Sequence, residues 1–324
     1  MKKCMCCMRD YGEDGQQCPL CGYSEVQMKN DIREFPEALY PETILAGRFI
    51  LGRALSINDF SIIYISWDAL LQRRVVVREY FPFGLGIRRA GEPEILFENE
   101  QESLLFERGR EIFEREAKLL NENQDIEGII HIYRVIRENN TSYAVMEYLE
   151  GNTLQDEMDG GETISKKQID AVIYEIAGII DCFHSRGISH YNLNPENIFR
   201  DDAGRIRITD FGDAKREVYR MLDRNANILD LRYTAPEVLS GETAGYKSDL
   251  YSLGAIYYRM LVGKEPPLSR TRRKKKRGFG AGSPESRIIE ALTNPVLAMR
   301  PAEAAKALTD PSLAMRPEET EKII

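Results

Sequence analysis

The segment Ser189-His190-Tyr191-Asn192-Leu193-Asn194-Pro195-Glu196-Asn197 constrains this chain more than any other stretch. Thirteen residues after Asn197 comes Asp210-Phe211-Gly212, and further on comes Ala235-Pro236-Glu237. Three short motifs in this order are a stronger constraint than composition. Within the first, Asn192 has a side chain with almost the shape of a carboxylate, but an amide takes up no proton near pH 7.

A second feature sits at the other end. Cys4-Met5-Cys6-Cys7 and Cys18-Pro19-Leu20-Cys21-Gly22-Tyr23 hold two Cys-x-x-Cys pairs ten residues apart. Each pair lets two thiolates of one tight turn face the same metal, and two such turns make a tetrahedral sulfur site. The second half resembles a zinc-ribbon knuckle, with Gly22 free to take the positive φ of the turn. A segment of roughly 24 residues cannot bury a sufficient core, so a metal staple is needed if it folds. The expected structural zinc ligands are Cys4, Cys7, Cys18 and Cys21, with Cys6 as a spare thiol. A closed four-sulfur site leaves no open coordination position for catalysis. The alternatives are an oxidisable disordered tail or a redox pair, the latter without its usual βαβ context. Residues 25–45, with Pro36 and Pro41, read as a linker.

The three motifs resemble those of the protein kinases, where they are H-R-D-L-x-x-x-N, D-F-G and A-P-E. From about Ala46 to the C-terminus the chain is similar to bacterial serine/threonine kinases. The resemblance implies an α+β, two-lobed kinase-like fold behind the small zinc ribbon (residues 1–24), with a small lobe at 46–150 and a large lobe at 151–324. Ile50 to Ile65 and Arg74 to Tyr80 are β-rich and match the first three strands of the small lobe.

Residue by residue, the resemblance separates positions that hold the fold from positions that do chemistry. Asn192 stands at the catalytic aspartate, Arg78 at the nucleotide lysine, and Ser56, Asn58 and Ser61 at the three glycines of the phosphate loop. Side chains there hold the backbone away from phosphates, and Asp59 adds a negative charge. Val76 and Phe199 are bulky residues at adenine-pocket positions, Met146 fits the gatekeeper, and Glu147 and Tyr148 fit the hinge. Tyr191 replaces the arginine that binds an activation-loop phosphate, and Asn194 stands where many kinases carry lysine. Among retained positions, Glu116 fits the αC glutamate and is expected to pair bidentately with Arg78, while Asn197 and Asp210 are the magnesium candidates. His190 and Phe211 fit the hydrophobic spine, Asp249 the αF aspartate, and Glu237 should pair with Arg300 or Arg316.

The tail carries a basic run, Arg270 to Arg277, read either as a docking patch for an acidic partner or anionic surface or as a solvated loop. A tandem repeat follows, Ala291 to Pro301 and Ala307 to Pro317, and two copies are too few for a solenoid.

The chain of 324 residues has a net charge of −8, which argues against general nucleic-acid affinity. Its most apolar window, Ala171 to Phe183, is too short for a span and contains Glu175 and Asp181. The start leads into cysteines rather than an apolar stretch, so no signal peptide is expected and the placement reads as cytoplasmic. Cys182 lies in a helical apolar pattern and is expected to be buried. The function expected is a pseudokinase that binds a protein partner, with ATP and magnesium held weakly or not at all. The rivals are an active or weakly active ATP-dependent serine/threonine kinase, and a ribbon protein associated with nucleic acid whose kinase-like body is structural.

Overall fold

A computed structural model describes residues 2–12, 15–161, 164–221, 231–240, 245–268, 283–293 and 308. The chain divides into two compact units, Met1–Gln124 with Ile130–Tyr148, and Asp125–Ile129 with Leu149–Ile324.

In the first unit, β1 (Lys2–Lys3) and β2 (Asp10–Tyr11) pair antiparallel around the first cysteine turn. The second turn leads to Ser24, which caps α1 (Glu25–Glu34). Ser24 and Gln27 form a reciprocal capping box, in which the Ser24 amide donates to Gln27 Oε1 at 2.8 Å. The stretch 25–45, read from the sequence as a linker, holds this capped helix in its first half. Its second half is pinned as well: the Leu39 amide donates to Tyr64 Oη at 3.0 Å, and Arg88 Nη1 donates to the Glu37 carbonyl at 2.9 Å.

The main sheet is antiparallel throughout. It contains β3 (Ile44–Leu45), β4 (Phe49–Ile57), β5 (Ser61–Asp68), β6 (Arg73–Tyr80), β9 (Ile132–Glu138) and β10 (Thr141–Glu147), in the order β3-β4-β5-β6-β10-β9. A small hairpin, β7 (Ile87–Arg88) with β8 (Ile95–Leu96), precedes α2 (Glu100–Glu122). Asn99 caps α2, and Phe106, Phe113, Glu116, Ala117 and Leu120 recur on its buried face at helical spacing. Tyr80 bridges sheet and helix, with ring centroids 4.8 Å from Phe106 and 5.7 Å from Phe113. Beneath them Arg88 and Glu79 form a fully buried ion pair, and Tyr64 Oη donates to Glu79 at 2.8 Å. Burial, then the Glu79 charge, holds the Tyr64 phenol well above its usual range.

The second unit begins with β11 (Gly151–Thr153) and α3 (Leu154–Asp159). α4 (Lys166–Ser185) follows, capped by Ser165 and Gln168. β12 (Ile198–Asp201) and β13 (Ile206–Ile208) complete a three-stranded sheet in the order β11-β12-β13. α5 (Asp213–Met221), α6 (Pro236–Leu239), α7 (Tyr246–Val262) and α8 (Pro284–Leu292) complete the unit. α7 is buried on almost every face and packs against both α4 and α8. Cys182 corrects the reading of a buried thiol: Ile180 and Phe183 face the core of α4, and residue 182 falls on the outward side, exposed. The basic run from Arg270 to Arg277, most of the tandem repeat, and Arg300 and Arg316 lie outside the described residues. Among the described residues no helix is long and apolar enough to cross a membrane.

Candidate functional site

In the second unit, Asp249 is the fixed point. Its carboxylate on α7 is fully buried and accepts from the His190 and Tyr191 amides, both at 2.8 Å, with His184 Nε2 at 2.9 Å. His190 Nδ1 accepts from the Asn192 amide at 3.2 Å, so its Nε2 carries the proton and donates to the Thr209 carbonyl at 2.9 Å. Complete burial lowers the His190 pKa below the ordinary imidazole value, against the pull of Asp249. The His190 ring stacks on Phe211 with centroids 4.4 Å apart, and Phe211 reaches Phe183 at 5.3 Å. These bonds hold two non-glycine residues in left-handed conformations, Tyr191 at φ 60° and Asp210 at φ 55°.

The braced loop puts the Asn192 side chain against Asp210. Asn192 Nδ2 donates to Asp210 Oδ2 at 2.8 Å and to the Asp210 carbonyl at 3.2 Å. The Asn192 carbonyl accepts in turn from Asn197 Nδ2 at 2.8 Å and Asn194 Nδ2 at 3.1 Å. Gly212 makes the approach feasible, since a Cβ there would lie 2.6 Å from Asn192 Cβ. Tyr191 is covered by Arg216 of α5, 4.5 Å above its ring.

In the first unit, β4 and β5 meet in a hairpin at the phosphate-loop position. Asn58 Oδ1 accepts from both the Phe60 and Ser61 amides at 2.9 Å, and the Asn58 amide donates to the Ser61 carbonyl at 3.1 Å. The side chain closes the turn on itself, and Phe60 is fully buried beneath it. Arg78 of β6 stands between the rings of Phe60 and Phe113, 5.6 and 5.5 Å from their centroids. Its Nη1 lies 3.6 Å from Glu116 Oε1, and its Nε donates to Ser61 Oγ at 3.3 Å. The ion pair therefore exists within one unit with both partners nearly buried. Val76 pairs with Met146 and Val75 with Glu147 across β6 and β10, whereas Phe199 stands on β12 of the second unit. Glu147 is 2.7 Å from His131 Nδ1. Glu237 is buried and accepts from Ser248 Oγ at 2.7 Å.

Magnesium at such a site takes one or two side-chain oxygens and completes its shell with substrate phosphates and water. Asp210 and Asn197 are the right donor types: the Asn197 amide nitrogen is spent on the Asn192 carbonyl, which leaves its Oδ1 as the metal donor, whereas one Asp210 oxygen accepts from Asn192. In the first unit, the Phe60 and Ser61 amides of the hairpin are engaged by Asn58. With one Asp210 oxygen held by Asn192, this donor pair falls short of a ready magnesium site.

The N-terminal cysteines fit a different ion. The sulfurs of Cys4, Cys7, Cys18 and Cys21 all lie within 4.8 Å of one another, with Cys4–Cys21 at 3.5 Å and Cys7–Cys18 at 3.8 Å. Four thiolates about 2.3 Å from one zinc, tetrahedrally arranged, would stand about 3.8 Å apart. Gly22 takes φ 74° in the second turn, and the Cys6 amide points at Cys4 Sγ at 3.4 Å. Burial pushes the Cys21 thiol up to about 11. At Cys18 burial also acts upward, but the Leu20 and Cys21 amides and the nearby sulfurs of Cys21 and Cys4 outweigh it and bring that thiol down to about 7.

Three features escaped the sequence reading. Asn58 closes a turn rather than merely replacing a glycine, a role an asparagine two residues before the turn's end can signal. Gly52, inside β4, marks a close approach by the knuckle. The buried Glu79–Arg88 pair had no local signal at all.

The protein kinase domain pattern matches residues 98–318. The chain belongs to the protein kinase family. It is 28% identical over 229 residues to a probable serine/threonine-protein kinase of Clostridium acetobutylicum, covering 69% of this chain and 31% of that one. It is 27% identical over 223 residues to the serine/threonine-protein kinase PrkC of Bacillus subtilis, covering 68% of this chain and 31% of PrkC. The match thus spans about a third of the length of these curated relatives. Among solved structures, PpkA-294 in its apo form superposes with a TM-score of 0.72 at 23% identity, over 86% of this chain and all of that one. At that identity the likeness speaks to the fold alone.

Proposed function

We propose that this chain is a pseudokinase, a kinase-family domain that organises a protein partner without transferring phosphate. One observation carries the reading. Where the family has its proton-accepting aspartate, Asn192 presents an amide that donates to Asp210 at 2.8 Å. An amide cannot take the substrate proton, and a positioned base is worth roughly 10²–10⁴-fold in rate. The engaged hairpin amides support the same reading. The test is radiolabelled phosphotransfer from ATP with magnesium, using the wild type and Asp210→Ala. Equal background from both is expected; robust wild-type labelling lost in the variant would overturn the reading.

A weakly active kinase is the second reading, favoured by the Arg78–Glu116 pair and the retained Asn197 and Asp210. Thermal-shift titration separates the two. Millimolar ATP bound at a micromolar Kd stabilises by about 4 kcal/mol, and a magnesium-dependent rise of that scale would favour the second.

The four cysteines serve, in this proposal, as a structural zinc site in a reducing, cytoplasmic setting. Metal analysis of untagged protein should give one zinc per chain, lost in Cys18→Ser.

A further inference from the structure

The knuckle is built onto the sheet at one place. β4 and β5 fall out of register between Leu51 and Ala54 and again between Ala54 and Ser56. At this bulge the Arg53 amide donates instead to the Met5 carbonyl of the first cysteine turn, at 2.7 Å. Next to it, a Cβ on Gly52 would run into Met8 Cε and the Met5 carbonyl oxygen, and would lie 2.8 Å from Ile65 Cγ2. Gly52 therefore leaves the space that the turn fills. Cys4, Met5, Met8, Cys18, Tyr23 and Ile65 form one buried cluster, and Trp67 and the hinge residue Tyr148 pack against it. The Arg53 side chain lies 3.4 Å from Asp31 of α1, which accepts from Tyr23 Oη at 2.8 Å. Lys3 Nζ sits 3.6 Å above the ring of Trp67.

The Cys4–Met8 turn is closed by the Met8 amide on the Cys4 carbonyl at 2.9 Å, and its Cys4 and Cys7 sulfurs face Cys21 and Cys18 at 3.5 and 3.8 Å. That turn carries both the Met5 carbonyl that takes the Arg53 amide and the Met8 side chain that fills the space over Gly52. The same strand continues from the bulge into the hairpin closed by Asn58. We propose that the four-sulfur site is a metal-gated clamp on the sheet: occupancy by a thiophilic divalent ion holds the β4 bulge and the Tyr148 ring, and loss of the ion releases both. The inference rests on the zinc reading above but goes beyond it, since a closed structural site need not govern the body it is attached to.

Trp67 is the one tryptophan of the chain and a native reporter at the junction. The experiment uses the full chain with zinc, after removal of zinc by a chelator, and after return of one equivalent. Metal content, Trp67 fluorescence and hydrogen exchange at the Arg53 amide are followed together. Zinc removal should shift the emission and speed Arg53 exchange at least tenfold, and returned zinc should reverse both. Gly52→Val, and Met8→Ala as a milder variant, should keep one zinc per chain yet lose this response; Met8→Ala should also lower the melting temperature by several degrees. Zinc that leaves and returns while Trp67 and Arg53 stay unchanged would overturn the clamp and leave the zinc site standing. A chain that never takes up zinc would overturn both.

Discussion

The loop braced by Asp249 and the hairpin closed by Asn58 occupy positions that a kinase uses together, yet they have diverged in opposite ways. At Asp249 a buried carboxylate gathers the His190 and Tyr191 amides and the His184 ring, as its position in the family implies. At Asn58 a side-chain oxygen accepts from the two amides that follow it in the hairpin. The first region keeps the hydrogen bonds that shape the fold. The second closes its turn on its own amides. Under the pseudokinase proposal, chemistry can be lost while the fold is kept, because the two tasks fall to different atoms.

The comparison breaks first at Asp249. Asp249→Ala leaves buried donors without an acceptor and should lower stability by roughly 3–5 kcal/mol in urea denaturation. A cost under about 1 kcal/mol would mean that the brace is not what holds the loop.

Asn192→Asp sharpens the contrast. It would set a second carboxylate beside Asp210, where the amide now donates at 2.8 Å. Stability at neutral pH should fall by roughly 1–3 kcal/mol, with phosphotransfer still at background. Recovery of both stability and transfer on adding magnesium would show that one substitution separates this chain from an active kinase.

Asn58→Gly tests the hairpin. Removal of its two side-chain hydrogen bonds should cost about 1 kcal/mol and speed exchange of the Phe60 and Ser61 amides. ATP affinity should change little. A tenfold gain in affinity would identify Asn58 as the main barrier to nucleotide.

The smallest effect is on pH dependence. His190 is buried and its pKa is lowered in the fold, while the unfolded chain has an imidazole near 6.5. Below about pH 6.5 the unfolded state binds a proton that the folded state refuses, so stability falls as pH falls, by at most about 1.4 kcal/mol per unit. Above that pH the group contributes no slope. Urea midpoints for wild type and His190→Gln should therefore diverge in slope only on the acid side of about pH 6.5; parallel slopes would contradict the buried neutral imidazole.

What the sequence made legible follows the range of each interaction. The catalytic-loop, D-F-G and αF segments carry their meaning in contiguous residues, so the positions of Asn192, Asp210 and Asp249 are readable from residue order alone. The cysteine spacing is similarly local. α1 was legible in principle from Ser24 and Gln27, but prolines downstream drew the whole stretch into a linker reading. Cys182 went wrong by helical phase, one residue from the buried Phe183. Gly52 against Met5, and Arg88 against Glu79, depend on which surfaces meet, and periodicity carries no record of that.

The Asn192–Asp210 contact has a consequence in mass action. A divalent ion that neutralises a carboxylate does so in proportion to its free concentration, and leaves when that concentration drops. The Asn192 amide is tethered to the same chain, so it is present at a fixed effective concentration whatever the cell contains. Under the pseudokinase proposal, a loop steadied this way would keep one shape through swings in magnesium and nucleotide.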